Sequence, residues 1–180
     1  YYCANETIHG IEIHETPEVN APIVADMSST LCTRPIDVRK YGLIFAGAQK
    51  NLGIAGLTIV IVKKDLMRNR GKHLPPIMRY ESHYQDNSML NTSPVFSWYV
   101  AGLIFEWILE QGGLNKMSKL NNEKASLLYD YIDNSILYQN HVNPRFRSWV
   151  NIPFTMTQDG LEEKFIETST YAGFKNLKGH

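Results

Sequence analysis

One lysine sits among unusually small neighbours. Lys50 lies in Ala46-Gly47-Ala48-Gln49-Lys50-Asn51, directly after an apolar run. Small residues let a flat ligand approach the backbone. Desolvation there pushes a lysine toward its neutral amine, the form that attacks a carbonyl to give a Schiff base. The plainer reading is a surface lysine at a strand end, where most lysines sit. Asp26 is the second candidate, closing the run Pro22-Ile23-Val24-Ala25. The stretch from Asp26 to Lys50 is long enough for a crossover that returns the chain to a neighbouring parallel strand. A carboxylate at a strand's carboxyl end faces the crevice where open α/β sheets bind ligands. Its plainer reading is a cap or a solvent-facing side chain. Taken together, the pair suits pyridoxal phosphate. That cofactor's aldehyde takes a lysine amine, and a carboxylate holds its ring nitrogen protonated.

Further polar groups are weaker signals. Asn5-Glu6-Thr7, Ser28-Ser29-Thr30 and Asn91-Thr92 offer hydroxyls and amides for cofactor or phosphate oxygens. The first and last also match a glycosylation acceptor, which requires a secreted chain that nothing in the sequence supports. The histidines at 9, 14, 73, 83, 141 and 180 show no metal-ligand spacing, so no metal is expected. His141, Arg145 and Arg147 read as a solvated basic loop. Walker, dinucleotide-binding, zinc-protease and nucleophile-elbow motifs are absent.

The elements that must position these residues follow from hydrophobic pattern. Residues 8–13 alternate, and Pro22–Ala25, Tyr41–Ala46 and Gly56–Val62 are Ile- and Val-rich runs that suit strands buried on both faces. Residues 66–93 read as irregular. A helix is expected from about Pro94, capped by Thr92 or Ser93, with Phe96, Val100, Leu103, Ile104, Trp107 and Ile108 inward. The aromatic set Phe96, Trp98, Tyr99, Phe105 and Trp107 reads as core. Gly112-Gly113 ends that helix. A second runs from about Leu114 to Ile132, with Met117, Leu120, Ala125, Leu128, Tyr131 and Ile132 inward. Residues 149–156 alternate like a strand. Residues 161–172 read as a helix with Leu161, Phe165 and Ile166 inward and Gly173 as its stop. The organisation is α/β, with one division at 112/113.

Composition bounds the rest. Lys plus Arg and Asp plus Glu both number 18, so no field of one sign attracts a polyanion, and nucleic acid is not an expected partner. Two cysteines cannot make a disulfide framework, which points to a reducing, cytoplasmic setting. The longest strictly apolar run, Ile59–Val62, is far short of the roughly 20 residues that span a bilayer, so no membrane is expected. Tyr1 opens within an apolar stretch and the chain stops at His180 without a tail, so a fragment is expected.

Several segments closely resemble the phosphoserine aminotransferase family, class-V, fold-type I enzymes that use pyridoxal phosphate. They are Tyr2–Gly10, Asp26-Met27-Ser28-Ser29, Arg34–Val38, Phe45–Asn51, Leu90–Pro94, Ile132–Ser135, Asn151–Phe154 and Leu177–His180. The resemblance runs in order along the whole chain. It implies a mainly parallel sheet from part of a large cofactor-binding domain over residues 1–112. Residues 113–180 would give a linking helix and the start of a smaller α/β domain. It implies transfer of the amino group of L-glutamate to 3-phosphohydroxypyruvate, giving O-phospho-L-serine and 2-oxoglutarate in serine biosynthesis. Lys50 matches the Schiff-base lysine and Asp26 the partner of the ring nitrogen. Thr7 matches a residue near the ring's phenolic oxygen, and Gln49 a phosphate ligand. Asn91 and Thr92 match residues that reach the cofactor phosphate of the other subunit, which implies a homodimer. His180 matches a histidine in the region that receives the substrate phosphate. Desulfurase-like members of the class usually carry a histidine directly before the lysine, where Gln49 stands here. Ser93 stands where the family commonly has proline. The glycine-rich phosphate cup, the ring-stacking aromatic and the substrate-binding arginines of the family would lie outside these residues. The competing class is therefore an inactive or truncated fragment that serves only as a binding or structural module.

Overall fold

The computed structural model describes residues 1–67 and 73–179. Its strands are β1 (Tyr2–Cys3), β2 (Asn5–Glu6), β3 (Ile11–Glu12), β4 (Val24–Asp26), β5 (Leu43–Gly47), β6 (Thr58–Val62), β7 (Tyr138–Gln139) and β8 (Thr155–Met156). Its α-helices are α1 (Lys64–Met67), α2 (Tyr80–Gln85), α3 (Val95–Glu110), α4 (Gly113–Asp133) and α5 (Leu161–Tyr171). By contacts the chain forms two units, Tyr1–Ala4 with Glu15–Ser118, and Asn5–His14 with Lys119–His180. The division falls inside α4.

The first unit is built on a sheet of order β1-β4-β5-β6. The β1–β4 and β4–β5 pairs are parallel and β5–β6 is antiparallel. Alternation in β5 buries Ile44 and Ala46 and leaves Leu43, Phe45 and Gly47 half-buried. Ile44 and Ala46 join Ala4, Ile23, Ala25, Met27, Leu31, Tyr41, Ala48 and Leu52 in one core. Burying each large member of this cluster contributes about 1.5–3 kcal/mol. The expectation of strands buried on both faces fails for β6, where Val60 and Ile61, on opposite faces, are both exposed; among the described residues β6 is the edge of the sheet and pairs with β5 alone.

The region read as irregular contains α2, with the Lys64 ammonium 5.3 Å from the Tyr84 ring centroid. Six residues are too few for hydrophobic periodicity to reveal a helix. Neither Thr92 nor Ser93 caps α3: Pro94 is the capping residue and no side chain bonds the helix end. The helix turns Ser97, Ala101 and Ile108 inward, and Ser97 Oγ donates to Ala55 O at 2.8 Å. The expected inward face is met at Ile108, which is buried, and at Val100 and Ile104, which are half-buried, but not at Phe96 (69% exposed), Leu103 or Trp107; of the aromatic set read as core, Trp98, Tyr99 and Phe105 are exposed too. A helix that is apolar all round gives periodicity no side to choose. Small residues win here because the turn through Gly53 and Gly56 (φ +106°) approaches closely, and a β-carbon at Gly56 would sit 3.3 Å from Ser97 Oγ.

The second unit pairs β2 with β3 and β7 with β8, both antiparallel. Of the alternating run 8–13 only Ile11–Glu12 is strand. The Glu6 carboxylate accepts from Ile8 N (3.1 Å) and His9 N (2.6 Å), which closes a turn before Gly10 (φ +69°). Those bonds also hold the Glu6 carboxyl below its ordinary pKa, the His9 amide contributing most. Of residues 149–156 only Thr155–Met156 is strand, because Ser148 Oγ turns the chain by accepting from Val150 N and Asn151 N. In α4, Ala125, Tyr129 and Ile132 are buried, whereas Leu128 and Tyr131 are exposed. Tyr138, Phe154 and Phe165 pack edge to face with centroids 5.3–5.8 Å apart. The α5 face is the expected one, with Leu161, Phe165 and Ile166 partly buried. Gly173 N to Thr170 O (3.1 Å) and Phe174 N to Ser169 O (2.9 Å) close that helix over a left-handed glycine.

Candidate active site

The register of one strand pair sets the site. In the parallel β4–β5 ladder Val24 stands opposite Leu43, Ala25 opposite Ile44 and Asp26 opposite Phe45. Parallel strands end at the same edge, so Asp26 and the segment after Gly47 emerge together there. Backbone bonds fix Asp26 from two sides: Ala4 N donates to Asp26 O and Met27 N donates to Phe45 O, both at 2.9 Å.

Lys50 is carried by the connection between β5 and β6. Ala48 N to Leu57 O (2.9 Å) closes its base, and Leu52 N to Ala48 O (3.1 Å) closes its tip. Ala48 and Leu52 are fully buried and anchor the turn. Asn51 Nδ2 donates to Leu31 O at 2.7 Å, tying the turn to the segment that follows Asp26. Gln49 and Lys50 are exposed at the tip. Lys50 is exposed, so the partial desolvation expected from the sequence is not supplied by the described residues of this chain. Gln49 folds back across Gly47, where a β-carbon would lie 2.5 Å from Gln49 Oε1.

The Asp26 carboxylate is held through one oxygen. Oδ1 accepts from Ser28 N (2.9 Å) and from Ser28 Oγ (2.7 Å). Both bonds fall on Oδ1. Ser28 Oγ in turn accepts from Gly47 N at 3.0 Å. The sequence offered Ser28 only as a hydroxyl for cofactor or phosphate oxygens. The structure gives it to Asp26. A short hydroxyl residue two positions after an aspartate is the signal of an Asx-type turn, and that signal was available in the sequence.

The remaining candidates are carried by other segments or lie outside the described residues. Asn91 and Thr92 are exposed in the segment that leads into α3, and Asn91 Nδ2 donates to Thr92 O at 3.1 Å. Thr7 occupies the β2–β3 turn of the second unit. His180 lies outside the described residues. Arg147, expected in a solvated loop, has a side chain only 13% exposed. It makes two bonds to Asp133 (2.6 and 2.8 Å) and lies over the Tyr129 ring, which makes it a structural tie in the second unit. Among the described residues no cluster of His, Cys, Asp or Glu could hold a metal ion, and no helix is long and apolar enough to cross a membrane.

A family model for aminotransferase class V matches residues 1–172. The chain belongs to the class-V aminotransferases. It is 49% identical over 180 residues to the phosphoserine aminotransferase of Idiomarina loihiensis, covering all of this chain and 50% of that protein. The solved phosphoserine aminotransferase of Bacillus circulans subsp. alkalophilus superposes with a TM-score of 0.95 at 43% identity, over 99% of this chain and 50% of the other. The pyridoxal-phosphate-bound phosphoserine aminotransferase of Trichomonas vaginalis superposes at 0.94 and 43% identity, over 100% and 52%. The chain spans about half the length of the curated relatives it matches. Its α/β fold with a mainly parallel sheet is the fold-type I architecture of these class-V aminotransferases.

Proposed function

We propose that the protein carrying this chain is a phosphoserine transaminase of serine biosynthesis. It would use pyridoxal phosphate to move an amino group between L-glutamate and 3-phosphohydroxypyruvate, giving O-phospho-L-serine and 2-oxoglutarate. The observation that carries this reading is the pairing of Asp26 with Phe45, which sends a carboxylate and the Lys50 turn to one edge of one sheet. Relatives named phosphoserine aminotransferase at 49% identity support the substrate. A solved relative with pyridoxal phosphate bound supports the cofactor.

The residues present suit that cofactor. Asp26 offers Oδ2 as an acceptor for a ring N–H while Ser28 holds Oδ1. Lys50 would supply the amine that binds the aldehyde, and Gln49, folded over Gly47, would bond the phosphate. Thr7 would sit near the ring's phenolic oxygen. Asn91 and Thr92 would serve the phosphate of a second copy in a homodimer. His180 would face the substrate's phosphate. The cofactor supplies an electron sink for the bond broken at the substrate's Cα. The Lys50 amine would take the proton from that carbon and return it to the other side of the transfer, a role worth about 10²–10⁴ in rate. Asp26 would keep its negative charge beside the ring nitrogen throughout. The same reading places the enzyme in the cytoplasm, which suits a chain with two cysteines and no disulfide framework.

The test is reduction of the complete protein with borohydride after incubation with pyridoxal phosphate, followed by peptide mapping. A reduced adduct on Lys50 is expected, along with O-phosphoserine-dependent formation of glutamate from 2-oxoglutarate. An unmodified Lys50 in a folded protein would remove the reading.

A further inference from the structure

We propose that Ser28 is a positioning residue that orients the Asp26 carboxylate for the cofactor's ring nitrogen and couples it to the Lys50 turn. The inference rests on the transaminase reading above and deepens it. A serine hydroxyl has one proton to give. Here it goes to Asp26 Oδ1 at 2.7 Å, the short distance of a charge-assisted bond. Ser28 Oγ itself accepts the Gly47 amide at 3.0 Å. The result is a relay of three groups, Gly47 N–H to Ser28 O–H to Asp26, which crosses from the end of β5 to the end of β4. Ser28 N adds a second bond to Oδ1 at 2.9 Å. Two donors on one oxygen restrict the rotation of the carboxylate and leave Oδ2 available as an acceptor. Gly47 is the last residue of β5 and lies three positions before Lys50. Ser28 thus joins the group that would hold the ring nitrogen to the turn that would hold the aldehyde. The ordering is made before the ligand arrives, so binding does not have to supply it.

The experiment uses the complete protein and a double-mutant cycle of Ser28→Ala and Asp26→Ala, with pyridoxal phosphate as the probe. The readouts are its dissociation constant and the absorption band of the bound cofactor across pH, with apo-protein melting as the control for folding. Ser28→Ala alone should weaken binding about 10- to 100-fold, the effect of losing one hydrogen bond to a charged group. It should also shift the pH dependence of the band. Ser28→Thr, which keeps the hydroxyl, should restore both. In the Asp26→Ala background Ser28→Ala should cost less than about 3-fold, because the carboxylate it orients is gone. An equal loss in both backgrounds would reduce Ser28 to a structural residue and overturn the proposal. So would an Ala variant with unchanged affinity and spectrum. If the unsubstituted protein formed no Lys50 adduct, the transaminase reading itself would fail, an outcome distinct from either of these.

Discussion

Asp26 stands opposite Phe45 in a parallel ladder, and Phe45 O accepts the amide of Met27, the residue after Asp26, at 2.9 Å. Asp26 is therefore placed by backbone bonds on both sides. A register slip of one residue would send its side chain to the other face of the sheet. The carboxylate itself is half-buried and, among the described residues, hydrogen-bonded to Ser28 alone.

That division between backbone placement and side-chain function predicts the behaviour of Asp26→Ala. The strand should still form. Two donors of Ser28 lose their acceptor, at a cost of about 1–3 kcal/mol. The turnover number should fall at least about 10²-fold, because the charge opposite the ring nitrogen is lost while the amine of Lys50 remains. Steady-state kinetics beside a thermal melt checks this. A turnover within a few-fold of the parent would remove Asp26 from the chemistry.

Gly47 makes a second, finer prediction. A β-carbon there would lie 2.5 Å from Gln49 Oε1, the end of a flexible side chain. Gly47→Ala should leave the fold intact and push the Gln49 amide aside. With Gln49 as a phosphate ligand, affinity for pyridoxal phosphate should fall about 10-fold, as for one hydrogen bond to a charged group. Gln49→Ala should lose a similar amount, and the double variant should lose little more than either. Fluorescence titration of the three variants decides it, and additive losses would separate Gly47 from Gln49.

How much of this was legible in the sequence depended on how local the signal was. The Lys50 turn could be read because a continuous apolar strand ran into a string of small residues. Asp26 could be read because it closed another such strand. The Ser28 relay is local too, yet its meaning depends on Gly47 arriving from the next strand, which a sequence does not display. The inward face of α3 was legible only in part, at Val100, Ile104 and Ile108, for a different reason. Aromatic and aliphatic residues surround that helix, and the side this chain buries was decided by how near Gly56 comes to Ser97 and Gly53 to Ala101. Arg147 looked solvated because its partner Asp133 lies on another element, and charge spacing along the chain carries no record of that pairing. Residues 8–10 looked like strand because hydrophobic alternation says nothing about the Glu6 carboxylate, which captures two of their amides.

Gly10 tests the second unit in the same way. Its φ of +69° is left-handed, and a β-carbon there would meet Pro153 and approach Asn151 O to 2.6 Å. Neither neighbour is the loose end of a long side chain. Gly10→Ala should destabilise by about 2–4 kcal/mol, combining left-handed strain with overpacking. Urea unfolding measures it. A loss under about 0.5 kcal/mol would mean that the β2–β3 turn can relax away from Pro153.

Tyr129 gives the pH prediction. Its hydroxyl donates to Ser148 O at 3.0 Å, and its pKa is pushed up to about 12, chiefly by burial. The nearby Arg147 cation opposes that rise, while Glu12 and Asp133 add to it. An unfolded tyrosine titrates near 10. The folded value is the higher one, so the contribution of this group is fully present below about pH 10 and is lost as pH rises toward 12. Tyr129→Phe removes both the titration and the bond to Ser148. At pH 8 it should cost about 1–2 kcal/mol, since a buried carbonyl loses its donor. Between pH 10 and 11.5 the gap between parent and variant should shrink, because only the parent loses stability through this hydroxyl. Urea unfolding of the two proteins at both pH values reads the difference. A gap that stayed constant would place the Tyr129 hydroxyl in water rather than against Ser148.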